Sequence, residues 1–409
     1  MQLRDYQIDI ANQAHSILKT YWLCYITAQV RTGKSLMALE SARLYWAKSV
    51  LFVTKKKAIG SIQDDYKNFW YDYSITIINY ESIHKVEWAY DLLILDEAHW
   101  SLSGFPRPSI SHKEIKKQFS NLPMIFLSGT PIIESACKAY HSLWVSSRSP
   151  FAQYRNFYKW FHEYGIPKEI YTSYWKAQDY SNCHVDRILN EISPIVISFT
   201  QEDAWFTTNI TEHILSVRMK DSTYSVADNL MTYRIVQGKM NTVLADTWVK
   251  LQICLHQVYS GTIIAEGGEA IIIDDSKALF IRDYFAWKKI AIMYCFKKEL
   301  DLLFQIFWDT ITTDLDEFNS TDKSYVGQIV STREGVNLSK AEALVFYNIP
   351  FSWTSYTQGR DRMSTRDRLE NHVYFVCSEW GIEEKILKVV REKKNYNEKV
   401  FLKDYKYIC

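Results

Sequence analysis

The sequence lacks a surplus of either charge: its 409 residues carry 48 Lys and Arg against 47 Asp and Glu, a formal net charge of +1. A protein that coats nucleic acid passively is held there by a global positive field. This chain has none, so any nucleic-acid contact must come from a local basic track. The seven cysteines, at 24, 137, 183, 254, 295, 377 and 409, include no C-x-x-C pair. Nothing near Cys183-His184 completes a zinc set, so reduced, mostly buried thiols are expected. No apolar run approaches the ~18 residues of a membrane span, and the start of the chain carries no signal-type stretch. The expectation is a soluble, cytoplasmic protein of a bacterial or phage-infected cell, with no membrane partner. Low-complexity segments, short repeats and a proline-rich linker are also missing.

What is present is an ordinary globular composition in a chain too long for one core, so two domains are expected. Aromatic side chains make up 15% of the residues; such rings can stack on bases, but most sit in cores. Short β-rich apolar runs alternate with longer helical stretches. They fall at 24–27, 50–54, 76–78, 92–95 and 125–127, and again at 290–294, 325–330, 343–347 and 372–376. Continuous Val/Ile/Leu runs between helices imply parallel strands buried on both faces. The fold class is therefore α/β, with two such series in tandem. Residues 132–195 and 224–258 read as helical, and 262–273 as a β-hairpin turning at Gly267-Gly268. The expected domains are 1–205 and 206–409, with the join near 200–220.

Residues 28–35 read A-Q-V-R-T-G-K-S, between an apolar run and a helical stretch. A strand, a tight loop and a helix N-terminus together make an anion site, with backbone N–H groups and the helix dipole facing phosphates. Arg31, Thr32, Gly33, Lys34 and Ser35 would cradle ATP, Lys34 pairing with the β/γ-phosphates and Ser35 ligating Mg²⁺. Ala28 stands where the phosphate-loop pattern has its first glycine. Corroboration comes from Asp96-Glu97-Ala98-His99, which directly follows the apolar run 92–95. An acidic pair at the C-terminal end of a parallel strand lies where ligands bind in α/β sheets. Asp96 would hold Mg²⁺ through water and Glu97 would act on the attacking water.

These motifs together resemble superfamily 2 helicases and translocases along almost the whole chain, most closely the Swi/Snf-like branch and its compact, phage-encoded, DEAH-box members. Leu3-Arg4-Asp5-Tyr6-Gln7 resembles the family's adenine-recognition element, which implies cofactor contacts from Arg4 and Gln7. Ser128-Gly129-Thr130-Pro131 resembles the motif that couples the ATP site to the nucleic-acid track, which implies coupling roles for His99, Ser128 and Thr130. Val53-Thr54-Lys55 and Asn79-Tyr80-Glu81-Ser82 resemble strand-contacting segments, and so does 331–338, which ends E-G-V-N-L. They imply nucleic-acid contacts from Thr54, Lys55, Asn79, Tyr80, Ser331 and Thr332, and a cofactor contact from Gly335. Tyr356 to Arg362 resembles the arginine-finger motif, with Gln358 and Arg362 in its catalytic positions. A second finger is implied three residues after Arg362; Thr365 sits there, which leaves Arg366 or Arg360 to serve.

The resemblance implies two tandem RecA-like domains that clamp ATP and Mg²⁺ and shift along DNA through backbone contacts independent of sequence. It also implies a monomer, with replication or recombination proteins as candidate partners. The aromatic passage 140–157 resembles the family's helical segment and equally reads as core packing. Lys55-Lys56-Lys57, Lys297-Lys298 and the arginines at 360, 362, 366 and 368 are the basic clusters of the expected track. Two alternatives stay open: an RNA helicase, from which D-E-A-H and S-G-T-P differ in motif, and an ATP-switched remodelling factor without strand separation.

Overall fold

The computed structural model describes residues 2–29, 32–86, 89–98, 102, 108–129, 136–171, 176–180, 182–200, 202–204, 209–238, 241–332, 336–363 and 370–405. The chain divides into two compact units, Met1–Phe206 and Thr207–Cys409.

The first unit is built on β1 (Leu23–Ala28), β2 (Ser49–Thr54), β3 (Ser74–Asn79), β4 (Leu92–Leu95), β5 (Met124–Ser128), a hairpin of β6 (Lys168–Tyr171) and β7 (Lys176–Asp179), and β8 (Val196–Phe199). Its main sheet has the order β3-β2-β4-β5-β1-β8, and every pair in it is parallel. Successive side chains alternate between the two faces. Leu23, Tyr25, Leu51, Val53, Leu93, Leu95 and Phe126 enter one core, while Cys24, Ile26, Val50, Phe52, Ile94 and Ile125 enter the other. Both faces are covered, which is why these strands read as unbroken apolar runs.

The second unit repeats the plan. Its strands are β9 (Asn209–Val217), the hairpins β10 (Ile235–Gln237) with β11 (Thr242–Leu244) and β12 (Thr262–Ile264) with β13 (Ala270–Ile272), then β14 (Ile290–Tyr294), β15 (Ile311–Thr312), β16 (Ser324–Gln328), β17 (Ala343–Phe346) and β18 (Glu370–Ser378). The main sheet, ordered β15-β16-β14-β17-β18-β9, is again wholly parallel. The α/β fold class, two parallel sheets of RecA-like plan in tandem, is thus the observed architecture.

Several local expectations are corrected. The stretch 224–258 is two helices, Asp221–Tyr233 and Trp248–Val258, separated by the β10–β11 hairpin. Arg234 ends the first helix in the left-handed region, at φ +63°. The passage 132–195 contains the β6–β7 hairpin as well as helices. Ile329 and Val330 belong to a helical turn, Ile329–Thr332, rather than to β16. Besides these two hairpins, three strands of the main sheets went unread, β8, β9 and the two-residue β15. β8 is only four residues long, and β9 is an edge strand whose polar positions break the apolar run. The aromatic passage resolves as packing, because Tyr140, Phe151, Phe157 and Trp160 are all buried in one core.

Candidate functional site

The loop that precedes the helix Lys34–Leu44 turns at a glycine and is held by residues at the start of the helix Asp5–Tyr21. Gly33 caps the helix Lys34–Leu44 with φ +82° and ψ +40°. A side chain is disfavoured in that backbone region, and a Cβ there would also meet Gln7 Nε2 at 2.2 Å. Gln7 is buried, and its Nε2 donates to the Thr32 carbonyl (3.3 Å) while its Oε1 accepts from the Arg4 N–H (3.0 Å). The Tyr6 hydroxyl donates to the same Thr32 carbonyl (3.1 Å) and accepts from Arg4 Nη1 (2.9 Å). Tyr6 also stacks on Phe199 of β8, with centroids 4.9 Å apart. Arg4 and Gln7 therefore lie at the loop, and Gln7 helps to hold it. Thr32 is fully buried and its hydroxyl donates to the Gln29 carbonyl (2.8 Å).

The acidic pair sits at the same sheet edge, at the end of β4. Asp96 is buried and held at four atoms. Its Oδ2 accepts from the Thr54 hydroxyl (2.8 Å), and its Oδ1 from the Glu97 N–H (3.0 Å). Its carbonyl accepts from the Tyr80 hydroxyl (2.6 Å), and its N–H donates to the Val53 carbonyl (2.9 Å). Burial, and then the neighbouring Glu97 charge, push the Asp96 carboxyl up to about 6, against the opposing pull of Lys34. Glu97 has φ +50°, a conformation that costs a non-glycine residue about 1–3 kcal/mol and persists only where its surroundings enforce it. In it, Glu97 faces Lys34 at 3.6 Å, both side chains largely shielded from water. Lys34, Ser35, Asp96 and Glu97 thus all stand at the C-terminal edge of one parallel sheet, where ligands of such sheets bind.

The other expected residues divide. Lys55 and Asn79 end their strands at this edge, and Asn79 Nδ2 donates to Glu81 (2.7 Å). Thr54 and Tyr80 are buried with their hydroxyls on Asp96, so here they brace the acid. Ser128 is buried at the end of β5. In the second unit, Ser331 donates to the Gln328 carbonyl (3.0 Å), and Thr332 is buried against Gly327, where a Cβ would lie 2.2 Å from its hydroxyl oxygen. Gln358 and Arg362 are buried, and Arg362 Nε donates to the Gln358 carbonyl (3.1 Å). Arg31, His99, Thr130, Gly335 and Arg366 lie outside the described residues, as do Thr365 and Arg368. Of the other basic residues, Lys298 is paired with Asp301 at 2.8 Å, while Lys56 and Lys57 are exposed.

Sequence reasoning missed Tyr25. This buried residue of β1 partners Phe126 in register and hydrogen-bonds Ser128; burial, with the nearby Glu97 charge, raises its hydroxyl pKa. A tyrosine inside the aliphatic run L-C-Y-I-T-A was the available signal, because a buried hydroxyl needs a partner.

The donor set suits a hard cation. Asp96, Glu97 and Ser35 offer oxygen only, as Mg²⁺ prefers, and Mg²⁺ is usually bound by one or two carboxylates plus substrate phosphates. Among the described residues no group of three or more His, Cys, Asp or Glu side chains is placed to hold a metal, and no helix is long and apolar enough to cross a membrane.

The fold and this edge define the chain as a two-unit α/β protein with a candidate site, Gly33 to Ser35 beside Asp96 and Glu97, at the edge of the first sheet. No protein-family model and no curated protein matches it. Among solved structures it is similar to the Sulfolobus solfataricus SWI2/SNF2 ATPase core in complex with dsDNA, with a TM-score of 0.44 and 16% identity over 99% of this chain and 93% of that one. A second similar structure is the Sulfolobus solfataricus SWI2/SNF2 ATPase core domain, with a TM-score of 0.42 and 14% identity over 96% of this chain and 89% of the other.

Proposed function

We propose that this protein is an ATP-dependent DNA translocase or helicase, a superfamily 2 type ATPase that moves along or remodels duplex, forked or branched DNA. The observation that carries the reading is the convergence of Lys34, Asp96 and Glu97 at one sheet edge beside a left-handed Gly33. ATP would lie on the loop 31–35 with its phosphates at the helix N-terminus and Lys34, and Arg4 and Gln7 would act at its base end. Ser35 and Asp96 would hold Mg²⁺, which neutralises phosphate charge when bound. Glu97 takes the proton of the attacking water, and its present partner Lys34 is the cation that a γ-phosphate would draw away. Gln358, Arg362 and Arg366 are proposed as catalytic residues, and Gly335 as a cofactor contact. Lys55, Asn79 and Ser331 are the proposed contacts to a nucleic-acid backbone, with His99, Ser128 and Thr130 coupling the two functions.

The test is ATP turnover of the full chain alone and with single-stranded, duplex and forked DNA, and with RNA. Stimulation by DNA, duplex or forked above all, is expected. Stimulation by RNA alone would move the assignment to an RNA helicase, and indifference to every nucleic acid would sink the motor. One observation favours a second reading, a nucleotide-switched remodelling factor: both described candidate fingers, Arg360 and Arg362, make hydrogen bonds within their own unit. Steady turnover that drives no displacement of a DNA strand or of a bound protein would select it.

A further inference from the structure

Both polar atoms of the peptide that joins Asp96 to Glu97 are hydrogen-bonded. Its carbonyl accepts from the Tyr80 hydroxyl (2.6 Å), and its N–H donates to Asp96 Oδ1 (3.0 Å). The other carboxylate oxygen of Asp96 accepts from the Thr54 hydroxyl (2.8 Å). A planar peptide fixes ψ of the residue before it together with φ of the residue after it, so these three bonds set the backbone of Glu97. The φ of that residue, +50°, is one that a non-glycine residue keeps only where its surroundings over-determine it. Thr54 and Tyr80 are both buried, so water does not compete for their bonds. Strand register explains the placement. Asn79 pairs with Thr54 across β3 and β2, and Val53 pairs with Leu95 across β2 and β4, which sets Thr54 beside Asp96 at the next position. The two half-buried residues Lys55 and Asn79 adjoin the braces directly: Lys55 follows Thr54, and Asn79 precedes Tyr80.

We infer that Thr54 and Tyr80 are positioning residues that carry the state of the nucleic-acid edge to Glu97. A nucleic-acid backbone held at Lys55 and Asn79 fixes two hydroxyls one residue away, and these fix the peptide that aims the Glu97 carboxylate at the attacking water. This inference rests on the DNA-dependent ATPase reading above, and it is separate from the coupling proposed for His99, Ser128 and Thr130. The route is short, with one residue and one hydrogen bond between each proposed contact and Asp96. A reacting group misplaced by about 1 Å can cost about 100-fold in rate, so a small turn of this peptide is enough to set turnover.

The experiment uses the full chain. ATP turnover is measured without DNA and at saturating duplex DNA, and duplex affinity is measured separately by fluorescence anisotropy without nucleotide. Tyr80→Phe keeps the ring that packs in the core and removes only its hydroxyl. Thr54→Val keeps the shape of its side chain and does the same. Each should lower kcat at saturating DNA about tenfold with little change in KM for ATP, the signature of lost transition-state geometry. Each should also bring the ratio of stimulated to unstimulated turnover towards one, while duplex affinity matches that of the wild type. Thr54→Ser, which returns the donor, should recover most of the loss. The double variant should lose less than the product of the two single losses, because both hydroxyls act on one peptide. A stimulation ratio equal to that of the wild type, with both turnovers lowered alike, makes the hydroxyls merely structural and overturns the inference. Duplex binding that weakens as much as stimulation falls overturns it too, since the hydroxyls would then be nucleic-acid contacts themselves. A chain whose turnover DNA does not change removes the motor reading and this inference with it, and that failure shows in the wild type before any variant is made.

Discussion

The two units hold their charges in opposite ways. At the phosphate loop, Lys34 and Glu97 face each other across 3.6 Å, and Glu97 sits in a strained backbone conformation. In the second unit, at the helix Trp353–Arg360, Glu212 is gripped at 2.6–3.4 Å by the guanidiniums of Arg391 and Arg360 as well as by the Tyr356 hydroxyl. A long, partly shielded pair gains little from its geometry and is easily exchanged for a ligand. A carboxylate with several short, charge-assisted bonds is scaffold. Tightness thus separates groups poised to change partners from groups that keep others in place, although both arrays contain the residue types of a catalytic site.

The largest expected effect breaks the loose pair. Glu97→Gln keeps the size of the side chain and removes its charge. ATP turnover should fall about 10³-fold or more, within the range that a general base contributes. Binding of a fluorescent ATP analogue should persist and even tighten, because Lys34 is released from its carboxylate. Retained turnover would mean that Glu97 is a structural partner of Lys34, and the contrast between the two regions would collapse.

A smaller effect tests how the loop itself is held. Gly33→Ala introduces a Cβ 2.2 Å from Gln7 Nε2, at a φ of +82°. The steric and backbone penalties are separable, since only the first involves Gln7. Gly33→Ala should weaken nucleotide binding about tenfold, the equivalent of a backbone penalty of about 1–2 kcal/mol. In a Gln7→Ala background, which itself binds nucleotide more weakly, the Gly33→Ala step should be smaller by the part due to the clash. If Gly33→Ala costs as much in the Gln7→Ala background as in the wild type, the contact with Gln7 has no bearing on loop geometry.

The poised region was legible in the sequence, and the scaffold region was not. Lys34, Ser35, Asp96 and Glu97 lie within a few residues of apolar runs, and the parallel-strand rule places such residues at one edge whatever the rest of the fold does. The apolar runs also correctly announced β1, β2 and β4 there, and β14 and β17 in the second unit. Glu212 is different. It meets Arg360 across 148 residues and Arg391 across 179, and its strand, β9, carries Thr, Glu and His where a buried strand would be aliphatic. The bonds of Thr54 to the Asp96 carboxylate and of Tyr80 to the Asp96 carbonyl were not legible, because a sequence gives the position of a hydroxyl but not the acceptor it will find.

The smallest expected effect, and the one that probes the poised region at rest, concerns Asp96 without nucleotide. Its carboxyl is raised from 3.8 to about 6, with burial the largest cause and the Glu97 charge the next. A carboxyl whose folded-state pKa lies above its unfolded value favours folding while protonated. That contribution is fully present below the unfolded value and is lost as pH rises through the folded one. At neutral pH the ionised Asp96 is therefore a cost that the site carries for its function. Asp96→Asn removes the charge, and its amide can still bond the Thr54 hydroxyl, which is able to reverse its role as donor. The nucleotide-free variant should unfold a few degrees higher than the wild type near neutral pH, about 2–4 °C for each kcal/mol relieved in a unit of this size. The difference should shrink towards zero as pH falls below the unfolded value, where both side chains are neutral. Thermal unfolding at several pH values checks this directly. A variant destabilised at every pH would show that the Asp96 charge is satisfied in the resting site, and that the first unit is scaffolded as tightly as the second.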